Sequence, residues 1–136
     1  MKQNANHTNR LILIGEDDID DKEILEEIFV SIDSSSKLQF LNNGEKLIDF
    51  LKNSDDVPCL IILDYNMPDL NGADILKGLQ NIERLKKVPK MIWSTSDAPA
   101  FKQKCMESGA CEYLVKPSKI KDLENMLRHM LSYCQT

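Results

Sequence analysis

Short apolar runs alternate along this chain with longer segments of helical periodicity. Residues 11–14 form an uninterrupted apolar run that ends at Gly15, and residues 59–63 form a second run that ends at Asp64. Runs of this length are typical of strands that are buried on both faces of a parallel sheet. Three further strands are predicted at 37–41, 91–93 and 111–115.

The segments between these runs carry apolar residues at helical spacing. The clearest example has acids on its opposite side, and its apolar face consists of Ile24, Leu25, Ile28, Phe29 and Ile32. Four more helices are predicted, around 47–51, after Gly72, from Pro99 to a stop at Gly109, and from Ser118 onward. Alternation at this spacing predicts an α/β fold with five parallel strands and helices on both faces.

Chemically coherent side chains follow these strands. Glu16 and Asp17 come after the first strand, Asp64 after the third, Thr95 after the fourth and Lys116 after the fifth. Ligands of open α/β sheets bind outside the carboxyl ends of the strands. Crowded carboxylates repel one another unless a cation intervenes, and hard oxygen ligands suit Mg²⁺. The hydroxyl and the lysine would complete a site for a tetrahedral anion.

A glycine-rich phosphate loop is missing from the sequence, which contains neither GxGxxG nor GxxxxGK[ST]. We therefore do not expect the phosphate to arrive on a nucleotide held by such a loop. The alternative is a phosphoryl group bonded to a carboxylate, with aspartate as the nucleophile. Asp64 is the candidate because it lies between the acid pair and the Thr and Lys in strand order.

Four motifs carry a family resemblance in this order and spacing. They are Ile-Gly-Glu-Asp-Asp at 14–18, Leu-Asp-Tyr-Asn-Met-Pro-Asp-Leu-Asn-Gly at 63–72, Trp-Ser-Thr-Ser at 93–96, and Tyr-Leu-Val-Lys-Pro at 113–117. Over residues 10–134 the chain resembles a response-regulator receiver domain of two-component signalling, of the stand-alone, chemotaxis-receiver-like kind. The resemblance implies a doubly wound, flavodoxin-like sheet with strand order 2-1-3-4-5.

The resemblance also implies roles for the strand-end residues. Asp64 would be the phosphoacceptor, and Lys116 would pair with the phosphoryl oxygens. Glu16 and Asp17 would hold Mg²⁺, with Mn²⁺ as a substitute, together with Asp64 and the backbone carbonyl of Asn66.

Residues near the fourth and fifth strands would form the switch. By the same resemblance, Thr95 is the hydroxyl that moves toward the phosphoryl group, and Tyr113 is the aromatic side chain that follows it inward. The bond that precedes Pro117 is expected to be cis. The small Ser96 should leave the phosphoryl group accessible, and Asp97 should influence the attacking water.

The function implied is that of a phosphorylation-controlled switch. A histidine kinase or a phosphotransfer protein would donate the phosphoryl group. The face formed by strand 4, helix 4, strand 5 and helix 5 would then change its binding of a downstream protein. Hydrolysis would reset the domain, so we do not expect a turnover enzyme that acts on an external substrate. We expect a monomer or a weak homodimer.

The net charge limits the classes of binding partner. Seventeen basic and twenty-two acidic residues give a net charge of −5, which argues against nucleic-acid and membrane-surface binding. Eight of the acids lie in residues 16–27. Among these, Asp18, Asp20 and Asp21 are interpreted as a solvated helix start, where acids also favour the helix dipole.

The remaining expectations concern compartment and extent. Four cysteines without CxxC spacing suggest buried or half-buried free thiols and no zinc site; they are Cys59, Cys105, Cys111 and Cys134. With no signal peptide or membrane span, a cytoplasmic location is the default. We expect a disordered leader at 1–9, one receiver domain at 10–134 and no output domain.

Two other functions are compatible with a strand-end aspartate. One is an Asp-nucleophile phosphohydrolase, a family whose motif resembles DxDxT. Asn66 stands where that motif has its second Asp, which would act as general acid. A pseudo-receiver that only docks would be expected to have lost Asp64, Lys116 or the acid pair, and all are present. His129 is interpreted as a surface residue of the last helix.

Overall fold

Five parallel strands form one sheet in the computed structural model, which describes residues 10–33 and 35–134. The strands are β1 (Leu11–Gly15), β2 (Lys37–Leu41), β3 (Leu60–Asp64), β4 (Lys90–Ser94) and β5 (Glu112–Val115). Their order is β2-β1-β3-β4-β5, which confirms the predicted doubly wound topology. The leader predicted at 1–9 lies outside the described residues.

Five α-helices connect and follow the strands, as the apolar spacing predicted. They are α1 (Ile19–Ile32), α2 (Gly44–Asn53), α3 (Gly72–Leu79), α4 (Pro99–Glu107) and α5 (Ile120–Leu131). Single 3₁₀ turns lie at Glu83–Leu85 and Ser132–Cys134. Gly109 follows α4 with φ of 116°, a backbone conformation that favours glycine and ends the helix where predicted. Within the described ranges, no helix has both the length and the apolar character needed to cross a membrane.

The core lies on both faces of the sheet. Leu13 and Ile61 pack with residues of α2, α3 and α4, whereas Ile12 and Ile62 pack with residues of α1 and α5. All four of these strand side chains are fully buried. Because both faces of β1 and β3 are covered, the sequence shows continuous apolar runs there and not alternation.

A disulfide joins Cys59 to Cys134, so the expectation of four free thiols is wrong for this pair. The two residues are 75 positions apart, and their Cα atoms lie 5.0 Å apart, within the range that a disulfide spans. The 3₁₀ turn after α5 brings Cys134 to the residue before β3, a proximity without any local spacing pattern. Cys105 and Cys111 are free thiols.

Candidate functional site

Three carboxylates converge at the carboxyl end of β1 and β3. Glu16 continues β1, because its N–H donates to the Leu41 carbonyl at 3.0 Å, and its side chain is buried. Asp64 is the last residue of β3 and is also buried, whereas Asp17 is exposed. One oxygen of each carboxylate lies within 4.8 Å of an oxygen of the other two. The structure therefore brings together the three acids that the sequence nominated.

The charge of this cluster is only partly compensated. Burial and the neighbouring Asp64 carboxylate raise the pKa of Glu16 to about 8, although Lys116 opposes the shift. Besides burial, repulsion from the Asp64 carboxylate contributes to this shift, and a divalent cation between the carboxylates would relieve that repulsion. Three carboxylate oxygens at this spacing are the hard ligands that Mg²⁺ takes in proteins, so the residues present fit a magnesium site.

Lys116, one residue beyond β5, reaches into the cluster from the other side. Its backbone N–H donates to the Ser94 carbonyl at 2.7 Å, which places the side chain beside the end of β4. Its Nζ donates to Asp64 Oδ2 at 2.7 Å, to Asp21 Oδ2 at 2.9 Å and to Glu16 Oε1 at 3.4 Å. Burial alone would lower the pKa of Lys116, but these carboxylates raise it. The ammonium is thus held charged.

The peptide bond between Lys116 and Pro117 is trans, in contrast to the cis bond that the resemblance implied. A trans X–Pro bond is favoured by about 0.5–1 kcal/mol in the absence of contacts that select the other isomer. Lys116 reaches Asp64 with this bond trans.

The loop after Asp64 folds back on itself. The Asn66 N–H donates to Asp64 Oδ1 at 2.9 Å, which orients the carboxylate, and the Gly72 N–H donates to the Tyr65 carbonyl at 2.8 Å. A Cβ on Gly72 would lie 2.8 Å from Ile92 Cδ1 and 3.2 Å from Tyr65 Cα. Glycine is needed there because the loop approaches the sheet so closely.

Asp69 fastens this loop to α2. Its Oδ1 accepts from the Gly44 N–H at 2.7 Å and its Oδ2 accepts from the Glu45 N–H at 2.9 Å. These N–H groups belong to the first turn of α2, where they have no partner within the helix. The loop that carries Asn66 is therefore held at both ends.

The residues after β4 lie on the side of α4 and β5. Thr95 and Asp97 are exposed, and Ser96 is half-buried. The Tyr113 hydroxyl donates to the Ser96 carbonyl at 2.7 Å. This hydrogen bond ties the Tyr113 side chain on β5 to the loop that carries Thr95. Neither Thr95 nor Tyr113 is part of the carboxylate–lysine cluster in this structure.

Sequence comparison assigns this arrangement to a family. A sequence model described as the response regulator receiver domain matches residues 12–128, most of the chain. The chain belongs to the response regulator receiver family. It is 31% identical over 131 residues to the two-component response regulator ARR17 of Arabidopsis thaliana, covering 89% of this chain and 84% of that protein. It is 30% identical over 115 residues to ORR11 of Oryza sativa subsp. indica, covering 83% and 78%.

Solved structures show the same fold as this receiver. The phosphorylated cyanobacterial phytochrome response regulator RcpA superposes with a TM-score of 0.82 at 20% identity, over 90% of this chain and 91% of that chain. The Mn²⁺-bound form of response regulator Rcp1 superposes with a TM-score of 0.78 at 28% identity, again over 90% and 91%.

Two contacts of this receiver were not expected from the sequence. Asp21 was assigned to a solvated helix start, yet its carboxylate holds Lys116. Trp93 is buried in the core, and the centroid of its ring also lies 4.3 Å from the Lys116 Nζ. A signal for Asp21 was present, because helical side chains lean toward the N-terminus and Asp21 lies in the first turn after the β1 end.

A third unexpected contact links the loop after Asp64 to α4. The Tyr65 and Phe101 rings stack with centroids 4.6 Å apart and an interplanar angle of 18°. Tyr65 is buried and Phe101 is partly exposed. No local spacing relates these two positions, since they lie on separate elements.

Proposed function

We propose that this receiver accepts a phosphoryl group on Asp64 from a histidine kinase or a phosphotransfer protein. The observation that carries the proposal is the environment of the Asp64 carboxylate. One side contacts a charged lysine at 2.7 Å, and the other faces two further carboxylates that could share a cation. A nucleophilic carboxylate with charge compensation prepared beside it suits phosphoryl transfer, which depends mainly on positioning and electrostatics.

Glu16, Asp17 and Asp64, with the Asn66 backbone carbonyl, are the proposed ligands of Mg²⁺. When bound, the ion would neutralise charge that develops on the transferring phosphoryl group. The oxygen-only ligand set and the proximity of the three carboxylates support this assignment. Mn²⁺ is proposed as a substitute, and the similar receiver Rcp1 has a Mn²⁺-bound form.

The transfer exchanges one bond of phosphorus for another. An Asp64 carboxylate oxygen bonds to phosphorus while the bond from phosphorus to the donor histidine nitrogen breaks, and that nitrogen keeps the electron pair. Lys116 donates to the phosphoryl oxygens as charge builds on them. Water later attacks phosphorus, the bond to Asp64 breaks, and inorganic phosphate and the free carboxylate result. The domain therefore resets without turnover of an external substrate.

The proposed response is a change in the face formed by β4, α4, β5 and α5. Thr95 would turn its hydroxyl to the phosphoryl group, and Tyr113 would give up its bond to the Ser96 carbonyl to follow it. Small Ser96 would leave room for the phosphoryl group, and Asp97 would influence the attacking water.

The proposed partner of this face is a downstream protein. Exposed apolar side chains support this choice, and they are Phe101, Met106, Val115 and Ile120. The net charge of −5 disfavours a nucleic acid or a membrane surface. A monomer or weak homodimer in the cytoplasm completes the proposal.

Phosphorylation of Asp64 is tested by intact-mass measurement after incubation with acetyl phosphate and Mg²⁺. Wild-type protein should gain one phosphoryl group, and Asp64→Asn should gain none. Asp49→Asn, an exposed aspartate on α2, is the matched control and should behave as wild type. Labelling of Asp64→Asn, or an unmodified wild type, would contradict the proposal. Steady phosphate release from a generic phosphomonoester would instead favour the phosphohydrolase.

A further inference from the structure

Asp21 shares the Lys116 ammonium with the proposed phosphoacceptor. Lys116 Nζ lies 2.9 Å from Asp21 Oδ2 and 2.7 Å from Asp64 Oδ2, whereas its distance to Glu16 Oε1 is 3.4 Å. An ammonium has three N–H donors. The two short contacts go to Asp21 and Asp64 and the longer one goes to Glu16, so each of the three donors already has a carboxylate acceptor.

The ammonium of Lys116 is shared by several carboxylates. Glu16, Asp21 and Asp64 all contact the ammonium of Lys116, and Asp17 lies in the same carboxylate cluster as Glu16 and Asp64. A phosphoryl group on Asp64 would add further negative charge, and Asp21 would then repel it across the shared lysine. Asp21 is therefore the competitor of the phosphoryl group for the same ammonium.

Asp21 differs from Glu16 in how easily it can release the lysine. The Glu16 side chain is fully buried, whereas that of Asp21 is 33% exposed. Asp21 also lies in the first turn of α1, where the helix dipole stabilises a carboxylate without the lysine. Water and the helix end can thus solvate Asp21 after Lys116 leaves.

We propose that Asp21 is a positioning residue that retains Lys116 in the resting receiver and so restrains phosphorylation of Asp64. This inference rests on the proposed function of Asp64. Lys116 must leave Asp21, wholly or in part, before it can serve the phosphoryl oxygens.

The test compares Asp21→Asn with Asp20→Asn. Both variants remove one carboxylate from the first turn of α1, but Asp20 is exposed and is not among the contacts of Lys116 described above. Beryllofluoride is titrated into the protein in excess Mg²⁺, and binding is monitored by Trp93 emission. The affinity should be on the order of tenfold higher for Asp21→Asn than for Asp20→Asn. Phosphorylation by acetyl phosphate, monitored by intact-mass measurement, should also be faster for Asp21→Asn than for Asp20→Asn.

Three further measurements separate this role from a general effect on folding. In EDTA, Asp21→Asn should shift the Trp93 emission because Lys116 loses the Asp21 contact and changes its position above the ring, and Asp20→Asn should not. Asp21→Glu keeps the negative charge. Its beryllofluoride affinity should therefore stay within about twofold of the wild-type value, because a tenfold change is expected only when the charge is lost. Urea unfolding should show similar stability for all three variants.

The outcomes distinguish the two proposals. If wild type binds beryllofluoride and Asp64→Asn does not, the proposed function stands; equal affinities of Asp21→Asn and Asp20→Asn then overturn the role of Asp21 alone. Weaker binding by Asp21→Asn would also overturn it, because Asp21 would then help to place Lys116 productively. An Asp21→Glu variant that matches Asp21→Asn would exclude charge as the cause. A wild type that binds nothing would refute the function itself.

Discussion

The Lys116 ammonium lies 4.3 Å from the centroid of the Trp93 ring, close enough for a cation–π attraction. Strand register pairs Trp93 with Asp64 across β3 and β4. The Lys116 ammonium therefore contacts the Trp93 ring on β4 and donates a hydrogen bond to the Asp64 carboxylate at the end of β3. Because the chain contains one tryptophan, its fluorescence reports the position of this lysine.

Lys116→Met should change the emission of Trp93 and abolish its response to beryllofluoride. The variant removes the cation above the ring and the donor to Asp64 together. Lys119→Met is the matched control, because Lys119 is an exposed lysine three residues away. Steady-state fluorescence with and without beryllofluoride and Mg²⁺ measures the effect. A full response in Lys116→Met would refute the role given to this lysine.

The stacked Tyr65 and Phe101 rings should be energetically coupled. A double-mutant cycle with Tyr65→Leu and Phe101→Leu should give a coupling of about 1 kcal/mol in the free energy of unfolding. Leucine keeps apolar volume at both positions, so the cycle isolates the ring–ring contact. Urea denaturation with unchanged m-values measures it. Additive single effects would show that the stack does not link the loop after Asp64 to α4.

Asp33 should make part of the stability depend on pH in the acid range. Burial would raise the pKa of Asp33, but hydrogen bonds from Ser35 and Ser36 and a contact with Arg10 lower it from 3.8 to about 2. A lowered folded-state pKa stabilises the protein above pH 3.8, and this contribution is lost as the pH falls toward about 2.

Asp33→Asn should therefore be less stable than wild type at pH 7, with the difference disappearing as the pH approaches 2. Urea unfolding across this pH range measures the difference. Asp55→Asn, at an exposed position, is the control for loss of one negative charge. A constant difference between Asp33→Asn and wild type at every pH would contradict the prediction.

The disulfide between Cys59 and Cys134 should contribute measurably to stability. Cys59→Ala should lower the free energy of unfolding by about 2–4 kcal/mol under oxidising conditions, because the bond restricts the unfolded chain. Dithiothreitol should remove most of this difference by destabilising wild type. Cys111→Ala, at an exposed free thiol, is the control.

A thiol titration checks the disulfide directly. In denaturant without reductant, two of the four cysteines should react with a thiol reagent. Reaction of all four would support the free thiols expected from the spacing of the cysteines.

Local pattern identified most of the secondary structure because burial acts on each element separately. The continuous apolar run of β3 and the periodic face of α1 each reflect the surface that the element buries. Boundaries moved by a residue or two, as for α5, which begins at Ile120 and not at Ser118. The N-cap residue of α5 is Lys119, which has extended backbone angles and makes no side-chain capping hydrogen bond, so backbone geometry and not residue type sets this end.

The sequence by itself determined the alternating elements and the strand-end acids, because both follow from local periodicity and residue chemistry. The strand order came from family resemblance and is confirmed by the sheet. Only the tertiary structure decided that Asp21 contacts Lys116 and that Cys59 meets Cys134, pairs separated by 95 and 75 positions. These contacts arise where helix packing carries remote segments together, and no short-range spacing encodes that packing.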